Sequence, residues 1–379
     1  MKRRIALVSP YTLPFYCGNS FLAERLEKGL LSKGFEASLF NSGADSPEDA
    51  LSFAPHLLHS LNADRPHQWV QSFRSRCIGP WVITLTGTDY NTWCGIKDAP
   101  PHILESLNGA DALVVFHQEA CGDLSDCLPA VRDKIRVIPQ GITPLSRVCD
   151  RDRFRREHGI DAKSLLFLMV ASLRPVKNLT VAVEAFFTIE RLAPHARLLL
   201  VGPILDESES AAILNMGRRL RGFTYLGERP PDEVRMYMQA ADVFLNTSLN
   251  EGMPGAVLEA MAEGLPVLAS DVTGNRTLVI HGMNGLLFHS GDKEALIGAA
   301  RRLIEDAPLR KRLGSAGRAL VLDQYSVKRE IDAHVGLYEQ LLCTADASSS
   351  NERYSSTGSP DTTRNEASSI CYSSSSPQE

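Results

Sequence analysis

The chain has 379 residues, which is long for a single hydrophobic core and suits two α/β domains. Hydrophobic residues make up 44% of the chain and charged residues 22%, as in an ordinary globular protein. The formal net charge of −5 gives no electrostatic reason to expect nucleic acid or an anionic membrane as a partner, so local groups would have to hold any anionic ligand.

Neither the N-terminus nor the cysteines indicate export. After Lys2-Arg3-Arg4 the apolar run is too short for the core of a signal peptide, and no apolar run in the chain is long enough to span a bilayer. The eight cysteines contain no C-x-x-C pair and no spacing typical of zinc ligands. We therefore expect a cytoplasmic protein with reduced thiols and without a metal site.

Short β-rich apolar runs alternate with amphipathic stretches as far as residue 340, which is typical of βα units on parallel sheets. The predicted strands of the first half are 5–9, 36–40, 57–61, 81–85, 112–116 and 135–138. Those of the second half are 165–171, 197–201, 223–226, 243–246, 266–270 and 285–288. The polar segment 143–161 has no strand signal, so we place the linker there and expect two parallel-sheet domains, residues 1–150 and 160–325, that face a cleft.

Helices are predicted at 292–305, 308–324 and 327–342. We expect the last of them, about 326–343, to pack back on the N-terminal domain. From residue 344 to 379 the composition changes to Ser, Thr, Asn and Pro with almost no apolar residues. Such a segment cannot offset its ordering entropy, so a disordered tail is predicted.

The most informative segment runs from the strand 243–246 through a loop into a helix that begins near Pro254-Gly255. Proline suits the first turn of a helix, and Gly255 lets a ligand approach the backbone, so the free N–H groups there predict a phosphate site. Glu251 precedes the helix and Glu259 lies one turn beyond Gly255. These carboxylates could accept hydrogen bonds from sugar hydroxyls; alternatively, both are solvated surface charges.

Glu251-Gly252, Glu259-Ala260-Met261 and the segments 264–270 and 282–288 resemble the signature of retaining GT-B glycosyltransferases of group 1, family 4. The resemblance implies that Glu259 binds the donor ribose and that Glu251 lies against the donor sugar. It also implies that sugar and phosphate oxygens of the donor are bound by the turn formed by Gly252, Met253, Pro254, Gly255 and Ala256. It further implies retention of configuration, no metal, and a nucleotide-diphosphate sugar, with UDP-sugar favoured, as co-substrate rather than cofactor. The identity of the acceptor stays open, and so does the question of whether the protein forms a homodimer.

Two cations, Arg174 and Lys177, follow the strand 165–171, at the edge where open α/β sheets bind ligands. Such cations suit a diphosphate leaving group, although a solvated loop with surface charges is the alternative. In the family an Arg and a Lys neutralise the diphosphate here. Lys177 matches the family position, whereas the usual Arg position is occupied by Ser172 and Arg174 lies two residues further on.

Three further segments carry weaker signals. Gly18-Asn19 stands where relatives have a glycine-rich turn that approaches the donor phosphate, and the segment around Gly227 resembles the one that contacts the nucleotide base. Asp89 ends a segment in which many relatives have a His-Asp pair, so it is the candidate polar group there. His117 ends the strand 112–116 at the ligand edge, but a lone histidine is more often structural.

Departures such as Gln140-Gly141 and Thr273-Gly274-Asn275 resemble a subgroup of the family, and bacterial selenosugar synthases share several of them. The sequence thus predicts a retaining glycosyltransferase with an unidentified acceptor. Two alternatives stay open: a selenosugar or thiosugar synthase that uses a UDP-sugar, and a nucleotide-sugar-binding protein without turnover. A dinucleotide-dependent oxidoreductase is disfavoured because no G-x-G-x-x-G motif opens either half.

Overall fold

The computed structural model describes residues 2–15, 17–87, 89–90, 99–143 and 149–355, with side chains as far as residue 347. The first half of the chain forms a six-stranded parallel sheet. Its strands are β1 Arg4–Ser9, β2 Glu36–Asn41, β3 Leu57–Leu61, β4 Trp81–Thr84, β5 Ala112–Val115 and β6 Ile135–Val137. Their order across the sheet is β2-β1-β3-β4-β5-β6.

A second six-stranded parallel sheet follows. Its strands are β7 Leu165–Val170, β8 Ala196–Val201, β9 Phe223–Tyr225, β10 Val243–Asn246, β11 Val267–Ser270 and β12 Gly285–Phe288, in the order β12-β11-β10-β7-β8-β9. All the predicted strands are confirmed to within one residue at either end. The strand order reverses between β7 and β10, and in the first sheet between β1 and β3. Such reversals open crevices at the carboxyl ends of the strands, where α/β proteins bind ligands.

Helices cover both faces of each sheet, as parallel strands require. In the first half they are α1 Gly18–Ser32, α2 Pro47–Phe53, α3 His67–Arg74, α4 Pro101–Gly109 and α5 Gln118–Cys127. The rest are α6 Arg151–Glu157, α7 Leu179–Leu192, α8 Glu207–Gly217, α9 Pro231–Ala240, α10 Gly255–Ala262, α11 Thr273–Arg276, α12 Lys293–Glu305, α13 Ala307–Gln324 and α14 Val327–Ser355.

Helix α14 returns to the first half of the chain and packs on α1. Arg25 of α1 makes two hydrogen bonds, of 2.5 and 3.0 Å, with the buried carboxylate of Glu330. Gly29 lies so close to Ile331 that an added Cβ would stand 2.3 Å from its Cδ1. The absence of a side chain at Gly29 therefore lets the two helices come into contact.

The end of α14 corrects one prediction. The helix continues to Ser355, so the expectation of a disordered segment is wrong for residues 344–355. Extending an existing helix costs far less than nucleating one, and Ala345 and Ala347 favour the extension. Arg3 adds an ion pair of 2.5 Å with Asp346. The rest of the predicted tail, residues 356–379, lies outside the described residues.

The segment predicted as a linker also contains structure that its polar sequence did not indicate. Helix α6 packs against the second half of the chain, with Phe154 buried in the core. Arg155 is buried as well and forms an ion pair of 2.7 Å with Asp242, while Arg151 forms one of 2.5 Å with the same carboxylate. A buried arginine is tolerated here because its charge is paired. Residues 144–148 lie outside the described residues.

The cysteines require a second correction. Cys127 is disulfide-bonded, so the prediction of reduced thiols throughout is wrong at this position. The cysteines that the structure describes as free are Cys17, Cys77, Cys121, Cys149 and Cys343. Within the described ranges, no helix combines the length and apolar composition needed to cross a membrane.

Candidate active site

The loops that follow β7 and β10 meet because these strands are neighbours in the second sheet. Two hydrogen bonds join the loops: the Thr247 hydroxyl donates to the carbonyl oxygen of Lys177 at 2.9 Å, and the Leu249 N–H donates to that of Val176 at 2.8 Å. The loops therefore form one surface at the point where the strand order reverses.

An ion pair lies at the centre of this surface. Lys177 Nζ is 2.6 Å from Glu251 Oε1, and the two side chains are 16% and 10% exposed. Ser248 Oγ and Asn246 Nδ2 donate to the same oxygen at 2.6 and 3.2 Å. Burial acts to raise the pKa of Glu251, but the charge of Lys177 and these hydrogen bonds outweigh it, so the pKa is lowered. Glu251 is thus a fixed carboxylate that holds a lysine ammonium in place.

Arg174 provides a second cation in the same loop. It precedes the short 3₁₀ turn Pro175–Lys177, which brings both cationic residues to the carboxyl end of β7. Arg174 Nε is buried and has no hydrogen-bond partner among the described residues. Buried guanidinium groups are normally paired, so this donor is suited to an anionic ligand.

The first turn of α10 presents unpaired backbone amides. The N–H groups of Val257 and Leu258 both donate to the carbonyl oxygen of Pro254, at 3.0 and 3.1 Å. Within the described part of the chain, the amides of Gly255 and Ala256 have no such acceptor, and both residues are only half-buried. A helix N-terminus with free amides attracts anions, as the sequence predicted for this turn.

The turn before α10 touches the first half of the chain. A Cβ added to Gly252 would stand 3.0 Å from Thr86 O and 3.1 Å from the Cα of Gly87. The next residue, Met253, is buried, and its carbonyl oxygen lies 3.5 Å from Gln140 Nε2. Gly252 therefore lies at a close approach between the two halves of the chain, where a Cβ would fit only if the facing loop shifted slightly.

Asp89 shapes the loop on the other side of this contact. Its Oδ1 accepts hydrogen bonds from the N–H groups of Thr86 and Gly87 at 3.0 and 2.9 Å, and its Oδ2 accepts one from Ala63 at 3.0 Å. Burial raises the pKa of Asp89 to about 6, although these bonds act against the increase. In this geometry Asp89 fixes the backbone of the loop, and the catalytic role predicted for it from the sequence stays a prediction.

Glu259 lies in the middle of α10 and is half-buried. It makes no hydrogen bond to the described residues, whereas its neighbour Glu263 pairs with Arg235. Burial raises the pKa of Glu259, and the charges of Arg235 and Arg25 oppose the increase without cancelling it. Arg25 belongs to α1, so a charge from the first half of the chain also acts on Glu259.

The remaining predicted donor contacts lie around this region. Gly18 and Asn19 form the first turn of α1, and a side chain added at Gly18 would meet no atom within 4 Å. Gly227 has a φ of +73°, which favours glycine, and its carbonyl oxygen accepts a hydrogen bond of 3.0 Å from Gly202. No described residue fills the space beside either glycine.

A buried network behind Glu251 was not recognised as functional from the sequence. Asn275 Nδ2 donates to Asn246 Oδ1 at 3.1 Å and to the Ser270 carbonyl oxygen at 2.9 Å. A Cβ added to Gly274 would stand 2.4 Å from Glu251 O, so only glycine fits there. The signal in the sequence was Thr273-Gly274-Asn275 in place of the usual Gly-Gly pair. These residues position Asn246 and Glu251.

Two six-stranded parallel sheets with helices packed on them are the architecture of the GT-B glycosyltransferase fold. Residues 150–320 match the family model described as glycosyl transferases group 1. The chain is 30% identical over 259 residues to Glycosyltransferase 1 domain-containing protein 1 of Xenopus tropicalis, covering 67% of this chain and 74% of that protein. The chain therefore belongs to the group 1 glycosyltransferases, and it resembles the subgroup that its departures from the family motifs indicated.

Solved structures share the fold. Sucrose-phosphate synthase from Thermosynechococcus elongatus has a TM-score of 0.75 at 20% identity, covering 90% of this chain and all of that one. HepE from Anabaena, in complex with UDP-glucose, also has a TM-score of 0.75, at 18% identity, covering 89% of this chain and all of that one. The predicted GT-B fold is confirmed. The chain spans about half the length of the next curated relatives that it matches.

Proposed function

We propose that this glycosyltransferase is a retaining enzyme that uses a UDP-sugar as donor and needs no metal ion. The observation that carries the proposal is the ion pair between Lys177 and Glu251 at the strand-order reversal. Glu251 immediately precedes the turn that presents the unpaired amides of Gly255 and Ala256. A buried, paired lysine beside a helix N-terminus suits an oxyanion that must be stabilised during reaction.

In this proposal the donor diphosphate lies against Lys177, Arg174 and the first turn of α10. Negative charge grows on the leaving phosphate as the glycosidic bond breaks, and cations and amides already in place stabilise that charge more in the transition state than in the ground state. These groups supply the positive charge that a metal ion provides in other reactions with a phosphate leaving group, and this supports chemistry that needs no metal ion.

Glu259 would accept hydrogen bonds from the ribose hydroxyls, since its carboxylate makes no hydrogen bond or ion pair with the described residues and the positive charges of Arg235 and Arg25 act on it. Glu251 would lie against the transferred sugar and keep Lys177 oriented. The family resemblance supports attack from the face of the departing group, with the leaving phosphate taking the acceptor proton. A UDP-sugar is supported by HepE, whose structure contains UDP-glucose.

The test is a donor screen by thermal shift over UDP-, GDP- and ADP-sugars, followed by measurement of product release. We expect a UDP-sugar to stabilise the protein, and the anomeric proton coupling of the product to show retention. Hydroxyl, thiol and selenophosphate acceptors in the same assay separate an ordinary glycosyltransferase from a thiosugar or selenosugar synthase. Binding without hydrolysis or transfer would indicate a silent binding protein, and no binding of any nucleotide sugar would contradict the proposal.

A further inference from the structure

Helix α11 is a single short turn, Thr273–Arg276, that follows β11. Two consecutive residues of this turn contact the candidate site from behind. Gly274 packs against the backbone carbonyl of Glu251, and Asn275 donates a hydrogen bond of 3.1 Å to Asn246 Oδ1. Both residues of the turn are buried. Helix α11 therefore supports the carboxylate residue at the centre of the site.

Arg276 ends the same turn and contacts both halves of the chain. On its own half, its Nη1 donates to Asp271 Oδ1 at 3.0 Å and its Nη2 donates to Thr273 Oγ1 at 3.2 Å. Its Nε lies 3.7 Å from Glu119 Oε1, in an ion pair that crosses to the first half. Because a guanidinium is planar and its donors have fixed directions, the two anchored nitrogens also set the direction of the third.

Glu119 is held in place on its own side of the ion pair. It lies in the first turn of α5, where the helix N-terminus stabilises negative charge. The side chains of Arg276 and Glu119 are 43% and 51% exposed. An ion pair this exposed changes an equilibrium constant by at most about fivefold. Such a pair is too weak to hold the fold together, but it is strong enough to favour one relative position of the two halves.

We propose that Arg276 is a positioning residue for sugar transfer, because its ion pair with Glu119 aligns the first half of the chain with the turn that supports Glu251. This inference rests on the proposed function and extends it to the relative position of the two halves. With the donor on the second half, groups of the first half reach the transferred sugar only across the gap, so a small displacement there lowers the rate of transfer. The proposed nucleotide contacts lie in the second half alone. Loss of the ion pair should therefore reduce turnover and leave UDP affinity unchanged.

The test is a double-mutant cycle on turnover of the UDP-sugar that the donor screen selects, measured as UDP release by the full chain at low ionic strength. Arg276→Gln and Glu119→Gln should each lower turnover about threefold to fivefold, and the double variant should lower it no further, because all three remove the same ion pair. Arg276→Lys keeps the charge and should retain most of the wild-type turnover. UDP affinity should stay within about twofold of the wild-type value. The differences in turnover should disappear at about 1 M salt, where the Debye length is about 3 Å.

Arg301→Gln is the matched control, since it removes an exposed ion pair with Glu305 that lies wholly within the second half, and it should leave turnover as in the wild type. Hydrogen exchange of the α5 and α11 amides gives a readout that needs no activity. Exchange should be faster in Arg276→Gln and Glu119→Gln and unchanged in Arg301→Gln.

Losses of turnover that add in the double variant, a loss in Arg276→Gln alone, a parallel loss of UDP affinity, or exchange rates equal to those of the wild type overturn this inference and leave the proposed function standing. A wild-type protein that neither binds nor turns over any UDP-sugar contradicts the proposed function, whereas the exchange rates still decide whether the ion pair links the two halves.

Discussion

Replacing Lys177 with alanine should separate the stabilising contribution of this lysine from its chemical one. Removing one partner of a buried ion pair costs about 3–5 kcal/mol, because the other charge is left uncompensated. Glu251 keeps its hydrogen bonds from Ser248 and Asn246, so we expect a smaller loss of about 2 kcal/mol. For a domain of this size, such a loss lowers Tm by roughly 4–8 °C, which calorimetry measures directly.

Turnover should fall much further than stability suggests. Measured at saturating donor and well below the Tm of the variant, it should drop by about two to three powers of ten, because Lys177 stabilises charge that appears only in the transition state. Lys293→Ala is the matched control. Lys293 is partly exposed and lies 3.8 Å from Glu184 on the surface, so its removal should change neither Tm nor turnover measurably.

The double variant Lys177→Met with Glu251→Gln decides between the two roles. Neutral side chains of similar volume often replace an ion pair without loss of stability, so Tm should return close to the wild-type value. Turnover should remain lost, since neither the ammonium nor the carboxylate is present. If turnover returned together with stability, the pair would be purely structural and the assignment of Lys177 to the leaving group would be refuted.

Three further predictions concern the surrounding residues. Glu259→Gln should weaken UDP binding about tenfold to a hundredfold, with a smaller change in turnover. The control Glu305→Gln changes an exposed carboxylate and should leave UDP affinity as in the wild type. Unchanged affinity of Glu259→Gln in calorimetry would remove Glu259 from the ribose site. Burial raises the pKa of Asp89 from 3.8 to about 6, so its contribution to stability is full below pH 3.8 and lost as pH rises through about 6. Denaturant titrations should measure the difference in unfolding free energy between the wild type and Asp89→Asn as a function of pH. This difference should fall by about 3 kcal/mol as the pH rises from below 3.8 to above 6, and a difference that does not change with pH would argue against the raised pKa. Asn275→Ala should lower turnover about tenfold by releasing Asn246, and turnover equal to wild type would exclude this positioning role.

The strands could be predicted from sequence because each is a short, continuous apolar run between turn residues, as buried parallel strands require. The site could be predicted as far as its motifs are local. Glu251, the helix N-terminus and Lys177 each follow a recognisable strand, and parallel strands place such residues at one edge. The pairing of Lys177 with Glu251 was not predicted, because it depends on the strand order that brings β7 beside β10.

What could not be predicted depends on partners distant in sequence. Helix α6 reads as a polar linker because its buried Arg155 is paired with Asp242, a carboxylate 87 residues further along the chain. Asp89 could be predicted only as a candidate polar group of the site, because its oxygens accept backbone N–H groups that only the folded loop presents. Asn275 reveals its role only through Asn246. Burial and hydrogen-bond geometry, not residue type, decide these cases.

The two halves of the chain act on one another where they come into close contact. The turn beside Glu251 rests on Thr86 and Gly87, where an added Cβ at Gly252 would stand 3.0 Å from Thr86 O, and Asp89 fixes the backbone of that loop. Gly252→Ala should therefore push the two surfaces apart while leaving the Lys177–Glu251 pair, which lies wholly in the second half, intact. We expect turnover to fall while UDP affinity, which depends on Glu259, is unchanged. A parallel loss of both would show that the close approach supports donor binding instead of aligning the two halves for transfer.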